Sequence, residues 1–397
     1  MIITMNKTRT RFAPSPTGYM HIGNLRTALF EFLIAKHEGG DFLLRIEDTD
    51  QERKVEGAVD VIYKTLKECG LNWDEGPDIG GDFGPYVQSE RLPMYKGYAE
   101  DLIKLGGAHY CFCSEEEIEA QRKEAESLGI SFKFNDPCKH LSAEEVQAKL
   151  DAGEPYVIRQ TIKDVGETYF DDEVYGRIEV DGDVLDEQIL IKSDGYPTYN
   201  FANIIDDHQM QISHVVRGNE YLSSTPKYNL IYDAYGWQRP TYVHVPPVMK
   251  DEHHKLSKRN GDASFQDLVA KGYLPEAIMN YIALLGWAPE TEQEIYTLDE
   301  LIKVFNIHRI SKSPAIFDID KLTWMNGVYL RNMDEETYYE TVRPYLEKAV
   351  HGPYNLKEIA KIIQPRIDIL NQIEESQNVD SLDIFSQEED EEGEYLA

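Results

Sequence analysis

The feature that most constrains this chain is residues 9–24 (RTRFAPSPTGYMHIGN), which begin as a strand, break at prolines and a glycine, and open a helix. Apolar residues then recur at helical spacing, namely Leu25, Ala28, Leu29, Phe32 and Leu33. Gly39 and Gly40 end that helix, and residues 42–46 (FLLRI) predict a second buried strand. Strand, helix and strand form a βαβ unit, whose first turn is a common nucleotide site. The sequence therefore predicts an α/β fold with a Rossmann-like parallel sheet.

Length and composition indicate a multidomain globular protein. The 397 residues predict two to four domains, and the 41% hydrophobic and 28% charged fractions are typical of globular chains. No apolar run reaches the length of a membrane span, and residues 281–288 predict a core helix, so no membrane partner is expected. The N-terminus lacks a secretory signal, and four cysteines do not suggest a disulfide framework. We expect a cytoplasmic protein.

The net charge of −32 weakens a nucleic-acid hypothesis without excluding it. A phosphate backbone is met by a local basic face, so the distribution of charge matters more than its sum. Part of the acidity is concentrated at the C-terminus, where residues 376–397 have almost no periodic apolar pattern. That segment predicts a disordered acidic tail.

The residue pattern, and with it the predicted secondary structure, changes several times along the chain. Residues 1–85 carry the βαβ unit, and residues 86–195 add capped helices and short strands with Asp-Gly turns, which predict an α+β insertion. The sheet is expected to resume in residues 196–252, including a strand-like stretch at 197–208. Beyond residue 253 the pattern is mainly helical.

Two loops carry the residues suited to nucleotide chemistry. Residues 21–24 (HIGN) lie where a helix starts, and free N–H groups and the helix dipole favour an anion there. Residues 255–259 (KLSKR) form a basic loop suited to phosphates from which pyrophosphate leaves. Taken singly, the first loop is better explained as a capped helix with a surface histidine, and the second as a solvated basic loop.

Together the two loops resemble the ATP signatures of class I aminoacyl-tRNA synthetases. Further motifs are similar to glutamyl-tRNA synthetases in chain order: 11–18 (RFAPSPTG), 45–50 (RIEDTD), 88–95 (QSERLPMY), 194–203 (DGYPTYNFAN), 216–220 (VRGNE) and 285–287 (LGW). The resemblance covers roughly residues 8–375 and is carried by several independent motifs. It implies a ligase that joins L-glutamate to tRNA-Glu.

The resemblance assigns seven residues to glutamate: Arg11, Ala13, Ser15, Glu47, Tyr199, Asn203 and Arg217. An anionic side chain needs a guanidinium fork, which Arg11 and Arg217 supply, and Glu47 suits the α-ammonium. From the residues alone, Arg217 and Glu47 are as well explained by an ordinary structural ion pair.

The resemblance also assigns residues to ATP and catalysis. The ATP set is His21, Gly23, Asn24, Lys255, Lys258 and Arg259, with Lys258 and His21 as the catalytic pair. The implied reaction uses Mg²⁺-ATP, passes through glutamyl-adenylate and needs no covalent nucleophile, only positioning and charge stabilisation. Asn24 stands where the wider class signature has a second histidine, so no histidine role carries over to it.

The resemblance also names the parts of the chain. It implies a catalytic domain in two halves at 1–85 and 196–252, and an acceptor-stem-binding insertion at 86–195. A stem-contact domain at 253–334 and a partial anticodon-binding domain at 335–375 follow. The shortened C-terminal region leaves open whether the anticodon is read and whether tRNA-Gln is also charged. A monomer is expected.

Cys111, Cys113, Cys138 and His140 form a second candidate site. Three thiolates and one imidazole suffice for a closed tetrahedral Zn²⁺ site. The alternative is two core cysteines with unrelated neighbours, and Cys69 is expected to be a buried core thiol.

Three other functions stay open at this point. A synthetase paralogue would glutamylate a modified base in tRNA-Asp, and a glutaminyl enzyme would attach glutamine. A non-catalytic tRNA-binding remnant would keep the fold without the reaction. The motif at 13–17 (APSPT) differs from the usual glutaminyl form, and the two complete ATP loops argue against a remnant.

Overall fold

The computed structural model of the chain describes residues 7–49, 55–163, 166–256 and 264–375. The strands in this part are β1 (Arg9–Phe12), β2 (Asp41–Leu44), β3 (Ala108–Cys111), β4 (Val157–Gln160), β5 (Glu167–Asp172), β6 (Gly176–Asp181), β7 (Ile189–Ile191), β8 (His214–Gly218), β9 (Thr241–Val245), β10 (Val248–Met249) and β11 (Ala315–Ile316). The helices are α1 (Ile22–His37), α2 (Ala58–Glu68), α3 (Leu92–Lys104), α4 (Glu115–Ser127), α5 (Ala143–Asp151), α6 (Tyr199–Gln209), α7 (Thr225–Tyr235), α8 (Phe265–Ala270), α9 (Pro275–Leu284), α10 (Leu298–Val304), α11 (Ile319–Asn332), α12 (Glu335–Ala349), α13 (Leu356–Ile363) and α14 (Gln372–Glu375).

A largely parallel sheet supports the turn between β1 and α1. Strands β1 and β2 pair in parallel, β8 and β9 pair in parallel, and the four-stranded sheet has the order β6-β5-β9-β8. Ser213 donates its N–H to the carbonyl of Arg9 at 3.0 Å, which places β1 beside β8. The carboxyl ends of β1, β8 and β9 therefore meet at one edge, where ligands bind in sheets of this kind. The predicted α/β class is confirmed.

Helix α1 runs through the middle of the largest core. Eleven of its residues are buried, so the helix is covered on most sides by β2, α9 and α10. The apolar spacing that predicted this helix corresponds to contacts on several faces, as expected for a buried helix.

The segment after α3 contains two small sheets. Strands β3, β4 and β7 form an antiparallel sheet. Strand β5 pairs antiparallel with β6, but its last residue, Asp172, also pairs in parallel with Tyr242 of β9. The β5–β6 hairpin therefore extends the sheet that contains β8 and β9.

The prediction of sheet structure at residues 197–208 is wrong. Residues 199–208 lie in α6, and only Pro197 of this stretch pairs with a strand, through an isolated bridge to Ile191. Phe201, Ile204 and Ile205 are buried at helical spacing, and this burial outweighs the modest strand preference of tyrosine, phenylalanine and isoleucine.

The last part of the described chain is helical, as predicted. Helices α12 and α13 pack together, and their core includes Leu274, Ala277 and Leu330 from the preceding helices. Among the described residues, no helix combines the length and apolarity that crossing a membrane requires. The acidic segment predicted as a disordered tail, residues 376–397, lies outside the described residues.

Candidate active site and metal centre

His21 caps the N-terminus of α1 and joins the two predicted ATP loops. Its Nδ1 accepts the N–H of Gly23 at 3.0 Å, and its Nε2 lies 3.0 Å from the carbonyl of Leu256. An acceptor at Nδ1 leaves the ring proton on Nε2, which donates to Leu256, so both contacts fit a neutral imidazole. The first turn of α1 holds no acidic residue, which preserves its preference for an anion.

Two described residues on either side of residues 257–263 contact this turn. Leu256, which belongs to the basic loop 255–259, contacts His21 through its carbonyl, and Ser264 pairs with His21. Phe265 donates its N–H to the carbonyl of Met20 at 3.1 Å. Of the remaining predicted ATP residues, Gly23 and the exposed Asn24 lie in the helix start and exposed Lys255 precedes Leu256. Lys258 and Arg259 lie outside the described residues.

Arg217 is buried with no acidic partner among the described residues. Its Nε donates to His244 Nε2 at 3.0 Å, and its NH2 donates to Thr225 Oγ1 at 2.8 Å. Its guanidinium carbon lies 5.1, 4.8 and 5.5 Å from the ring centroids of Tyr221, Tyr228 and Tyr242. Aromatic faces attract a cation but do not cancel its charge. The guanidinium therefore retains a net positive charge that an incoming carboxylate can neutralise.

Glu47 is a buried carboxylate with one unpaired oxygen. Its side chain is 2% exposed, and Arg45 donates to Oε1 at 3.0 Å, but Oε2 is buried without a hydrogen-bond partner. Burial raises the pKa of Glu47 to about 7, against the opposing effect of Arg45. An unpaired buried acceptor costs free energy unless a donor reaches it.

The two other predicted polar contacts lie on α6. Asn203 is buried, and its Nδ2 also has no hydrogen-bond partner. Burial and then the charge of Glu47 raise the pKa of Tyr199 well above its usual range. The ring centroid of Tyr199 lies 5.7 Å from that of Tyr221. Because Tyr221 contacts Arg217, the two tyrosines connect the acidic and basic ends of the site.

Arg11 differs from Arg217 although the two were predicted to act together. Arg11 donates from Nε to Asp207 at 2.8 Å and from NH1 to Glu31 at 3.2 Å. Although burial alone would raise it, the pKa of Asp207 is held below its usual range by the charges of Arg11 and Arg45. Arg11 is thus neutralised within the protein.

The other two predicted glutamate residues follow β1. Ala13 is half-buried and Ser15 is exposed. Between them, Pro14 accepts the N–H of Glu47 at 3.0 Å, so this bend lies against Glu47.

A buried ionic network beneath these residues was not predicted. Its members are Arg11, Arg45, Arg91, Glu31, Glu47, Asp206 and Asp207. Arg45 links Glu47 to Asp207, with NH1 at 2.8 Å from Asp207. The only sequence signal was position, since Arg45 and Arg91 lie inside the motifs RIEDTD and QSERLPMY.

The three predicted cysteines converge as a metal-binding group would require. Ligand atoms of Cys111, Cys113, Cys138 and Asp136 lie within 4.8 Å of one another. The sulfurs of Cys113 and Cys138 are 3.7 Å apart. Thiolates bound about 2.3 Å from a tetrahedral zinc ion lie about 3.8 Å apart, so this separation fits.

His140, the fourth predicted ligand, lies outside this group. It ends a 3-10 helix, Pro137–His140, and is exposed. With about three residues per turn, a residue two positions after Cys138 faces a different side of such a helix. Asp136 lies in the group instead, and its Oδ2 is 2.9 Å from His109 Nε2.

Without a metal ion, the Cys111 thiol of this group is protonated and the Asp136 carboxyl is ionised. Burial raises the pKa of Cys111 to about 11, so the thiol is neutral at pH 7 without a cation. Burial alone would also raise the pKa of Asp136, but hydrogen bonds from His109, Cys111 and the Cys138 N–H hold it well below its usual range. A divalent cation would displace the thiol protons.

Comparison with known proteins gives a consistent result. A family model described as tRNA synthetases class I (E and Q), catalytic domain, matches residues 7–324. The glutamate–tRNA ligase of Clostridium botulinum is 60% identical over 381 residues, covering 96% of this chain and 78% of that protein. That of Clostridium tetani is 59% identical over 370 residues, covering 93% and 76%.

A solved structure gives the same result. The glutamate tRNA ligase from Elizabethkingia meningosepticum, in complex with its amino acid, superimposes with a TM-score of 0.88 at 37% identity. The match covers 94% of this chain and 80% of that one.

Proposed function

The chain belongs to the glutamate–tRNA ligases of the class I synthetases, and we propose how its residues divide the reaction among glutamate, ATP and tRNA. The enzyme attaches glutamate to tRNA at the expense of ATP. The predicted ligase activity is therefore confirmed, and the comparisons do not favour the paralogue that modifies a tRNA base.

We assign the side-chain carboxylate of glutamate to Arg217 and its α-ammonium to Glu47. Two unsatisfied groups carry this assignment: a guanidinium without an acidic partner among the described residues, and a buried carboxylate oxygen without a donor. Glutamate carries one group for each. The Nδ2 amide of Asn203 supplies a further buried donor. Tyr199 lies between the Glu47 end and the Arg217 end of the site.

Arg11 takes a different role in this proposal from the one predicted. Because Asp207 and Glu31 already neutralise it, Arg11 supports the floor of the glutamate site. Ala13 and Ser15 line the entry from the β1 side, where Pro14 contacts Glu47.

We place ATP at the start of α1, against His21, Gly23 and Asn24. The α-carboxylate oxygen of glutamate attacks the α-phosphorus, and the bond to the departing pyrophosphate breaks. A ribose hydroxyl of the terminal tRNA adenosine then attacks the adenylate carbonyl and releases AMP. Mg²⁺ accompanies ATP and supplies positive charge to its phosphates. We propose that Lys255, Lys258 and Arg259 add positive charge to the same phosphates. Lys255 directly precedes Leu256, whose carbonyl contacts His21.

We propose that residues 86–195 bind the acceptor end of tRNA-Glu. A groove of about 480 Å³ in this segment is lined by five cations and two phenylalanines: Arg122, Lys133, Lys139, Arg159, Lys163, Phe132 and Phe134. Three acidic residues also line it, and Lys139 pairs with one of them, Glu187, at 3.0 Å. Cations with aromatic rings suit single-stranded nucleic acid.

We propose the following roles for the other parts of the chain. Residues 1–85 and 196–252 form the two halves of the catalytic domain. Residues 253–334 contact the tRNA stem, and residues 335–375 begin an anticodon-binding domain. We propose that the enzyme works as a monomer in the cytoplasm, where tRNA, ATP and glutamate occur together.

The choice of tRNA is tested by aminoacylation of purified tRNA-Glu, tRNA-Gln and tRNA-Asp with labelled glutamate. We expect an alkali-labile ester on the terminal adenosine of tRNA-Glu. Product on tRNA-Asp that survives removal of the terminal adenosine would contradict the proposal. Equal charging of tRNA-Gln would widen its substrate range.

Binding of glutamate should weaken in acid because of Glu47. Its pKa of about 7 means that the carboxylate is increasingly protonated below pH 7, and only the ionised form accepts fully from an ammonium. We expect the KM for glutamate to rise about tenfold between pH 8 and pH 6. Steady-state kinetics of ATP–pyrophosphate exchange, with tRNA present, measure this.

The Glu47→Gln variant is the control for that pH dependence. It should have a high KM that no longer varies between pH 6 and pH 8. A wild-type KM that is constant over this range would contradict the assignment of Glu47.

We propose that Cys111, Cys113, Cys138 and Asp136 hold a structural Zn²⁺. We expect about one equivalent of zinc in purified protein, and a sharp loss of zinc in Cys113→Ser and Asp136→Asn. His140→Asn is the matched control and should retain the metal, because exposed His140 lies outside the group. Metal analysis and thiol titration measure this, and loss of zinc only in the His140 variant would overturn the set with Asp136.

A further inference from the structure

Asp172, His244 and Arg217 form a buried chain of hydrogen bonds across β5, β9 and β8. The His244 Nδ1 lies 2.6 Å from Asp172 Oδ2, and the Arg217 Nε–H donates to His244 Nε2 at 3.0 Å. The side chains of His244 and Asp172 are fully buried. None of the sequence motifs included Asp172 or His244.

The partners determine which nitrogen of His244 carries the proton. Asp172 is held by the N–H groups of Val174 and Tyr175, at 2.9 and 2.8 Å from Oδ1. Its Oδ2 accepts from the backbone N–H of His244 and from Nδ1–H. Nε2 is then bare and can accept from Arg217. Burial lowers the pKa of His244, in agreement with a neutral ring.

Thr225 completes the environment of the guanidinium in the same way. Its hydroxyl donates to the carbonyl of Tyr221 at 2.8 Å, so its oxygen is free to accept from Arg217 NH2. Both acceptors of Arg217 are therefore neutral groups. The nearby carboxylate, Asp172, is separated from the guanidinium by the width of an imidazole ring.

We propose that Asp172 and His244 are positioning residues that select glutamate by orienting Arg217 without neutralising it. This inference rests on the proposed role of Arg217 in binding the side-chain carboxylate. A carboxylate directly on Arg217 would compete with the substrate, as Asp207 does on Arg11. A neutral imidazole orients the guanidinium and leaves the counter-charge to the substrate, which favours a carboxylate over the amide of glutamine.

Two variants of His244 separate its two hydrogen bonds. Asparagine at position 244 can donate to Asp172 but is too short to reach Arg217, whereas the oxygen of glutamine can take the place of Nε2. We expect His244→Asn to raise the KM for glutamate about tenfold, and His244→Gln to restore most of that loss. The kcat and the KM for ATP should stay within about twofold in both variants.

Asp172→Asn provides an independent test through the tautomer. An amide facing Nδ1 moves the ring proton to Nε2, which then opposes the Arg217 donor. The KM for glutamate should again rise about tenfold, and the preference for glutamate over glutamine should fall. His214→Gln, at the N-terminal end of β8 and so at the end of the strand away from Arg217, is the control and should keep the wild-type KM.

The outcomes separate this inference from the proposed function. Arg217→Gln with a raised glutamate KM, beside wild-type values for His244→Asn and Asp172→Asn, would overturn the inference and leave the role of Arg217 intact. An unchanged KM in Arg217→Gln would overturn both. Parallel losses in kcat, both KM values and melting temperature would show a merely structural role and also overturn it. If Asp172→Asn does not fold, the two His244 variants decide.

Discussion

Replacing Arg217 with glutamine is expected to raise the KM for glutamate about 100-fold while the KM for ATP changes by no more than about twofold. Arg217 is 7% exposed and lacks an acidic partner among the described residues. Removing one partner of a buried charge pair costs about 2–5 kcal/mol, and each 1.4 kcal/mol is a factor of ten. The variant would leave the substrate carboxylate buried without its counter-charge.

ATP–pyrophosphate exchange with tRNA present measures this effect. Arg177→Gln is the control, because Arg177 also lies over a tyrosine ring, at 4.2 Å from that of Tyr169, but is exposed on β6. A glutamate KM within threefold of the wild type in Arg217→Gln would contradict the assignment. So would an equal loss in the control.

Replacing Lys258 with alanine is expected to reduce the rate of adenylate formation by about 100-fold to 1000-fold with little effect on the KM for glutamate. Loss of one preorganised group at the developing charge of a transition state has an effect of this size. Lys258 lies two positions after Leu256, which His21 binds at the start of α1. Its ammonium is therefore proposed to act on the phosphates and not on glutamate.

Single-turnover formation of glutamyl-adenylate, with tRNA bound, is the direct measurement. Lys250→Ala is the control, since it removes an exposed lysine of the same segment that has no assigned role. An unchanged activation rate in Lys258→Ala would remove this residue from the mechanism.

Local signals in the sequence predicted most of the elements. Three capping boxes, which begin at Ser114, Ser142 and Thr297, can be recognised in the sequence and are present in the structure, because both hydrogen bonds of each box lie within four consecutive residues. Helix α1 was likewise predicted, from its apolar spacing. Residues 199–209 are the exception, since their helix depends on which side chains the rest of the protein buries.

The site likewise combines features that the sequence predicted with features that depend on the fold. The motifs named Glu47, which has an unpaired oxygen, and Arg217, which has no acidic partner among the described residues. They did not name the neighbours that leave the two residues in that state. Arg11 and Arg217 are the same residue type at equally plausible positions. Only the fold places Asp207 and Glu31 against one and a neutral histidine against the other.

The sequence by itself determined the α/β class, the turn between β1 and α1 and the family, because these depend on short-range patterns and on motifs in chain order. The tertiary structure alone decided that Asp136 and not His140 joins the cysteines, and that Arg217 and not Arg11 keeps a free charge. Ligand sets and charge balance depend on residues far apart in the chain, such as Arg11 and Asp207. Their proximity is a property of the packed sheet and helices, which no local pattern records.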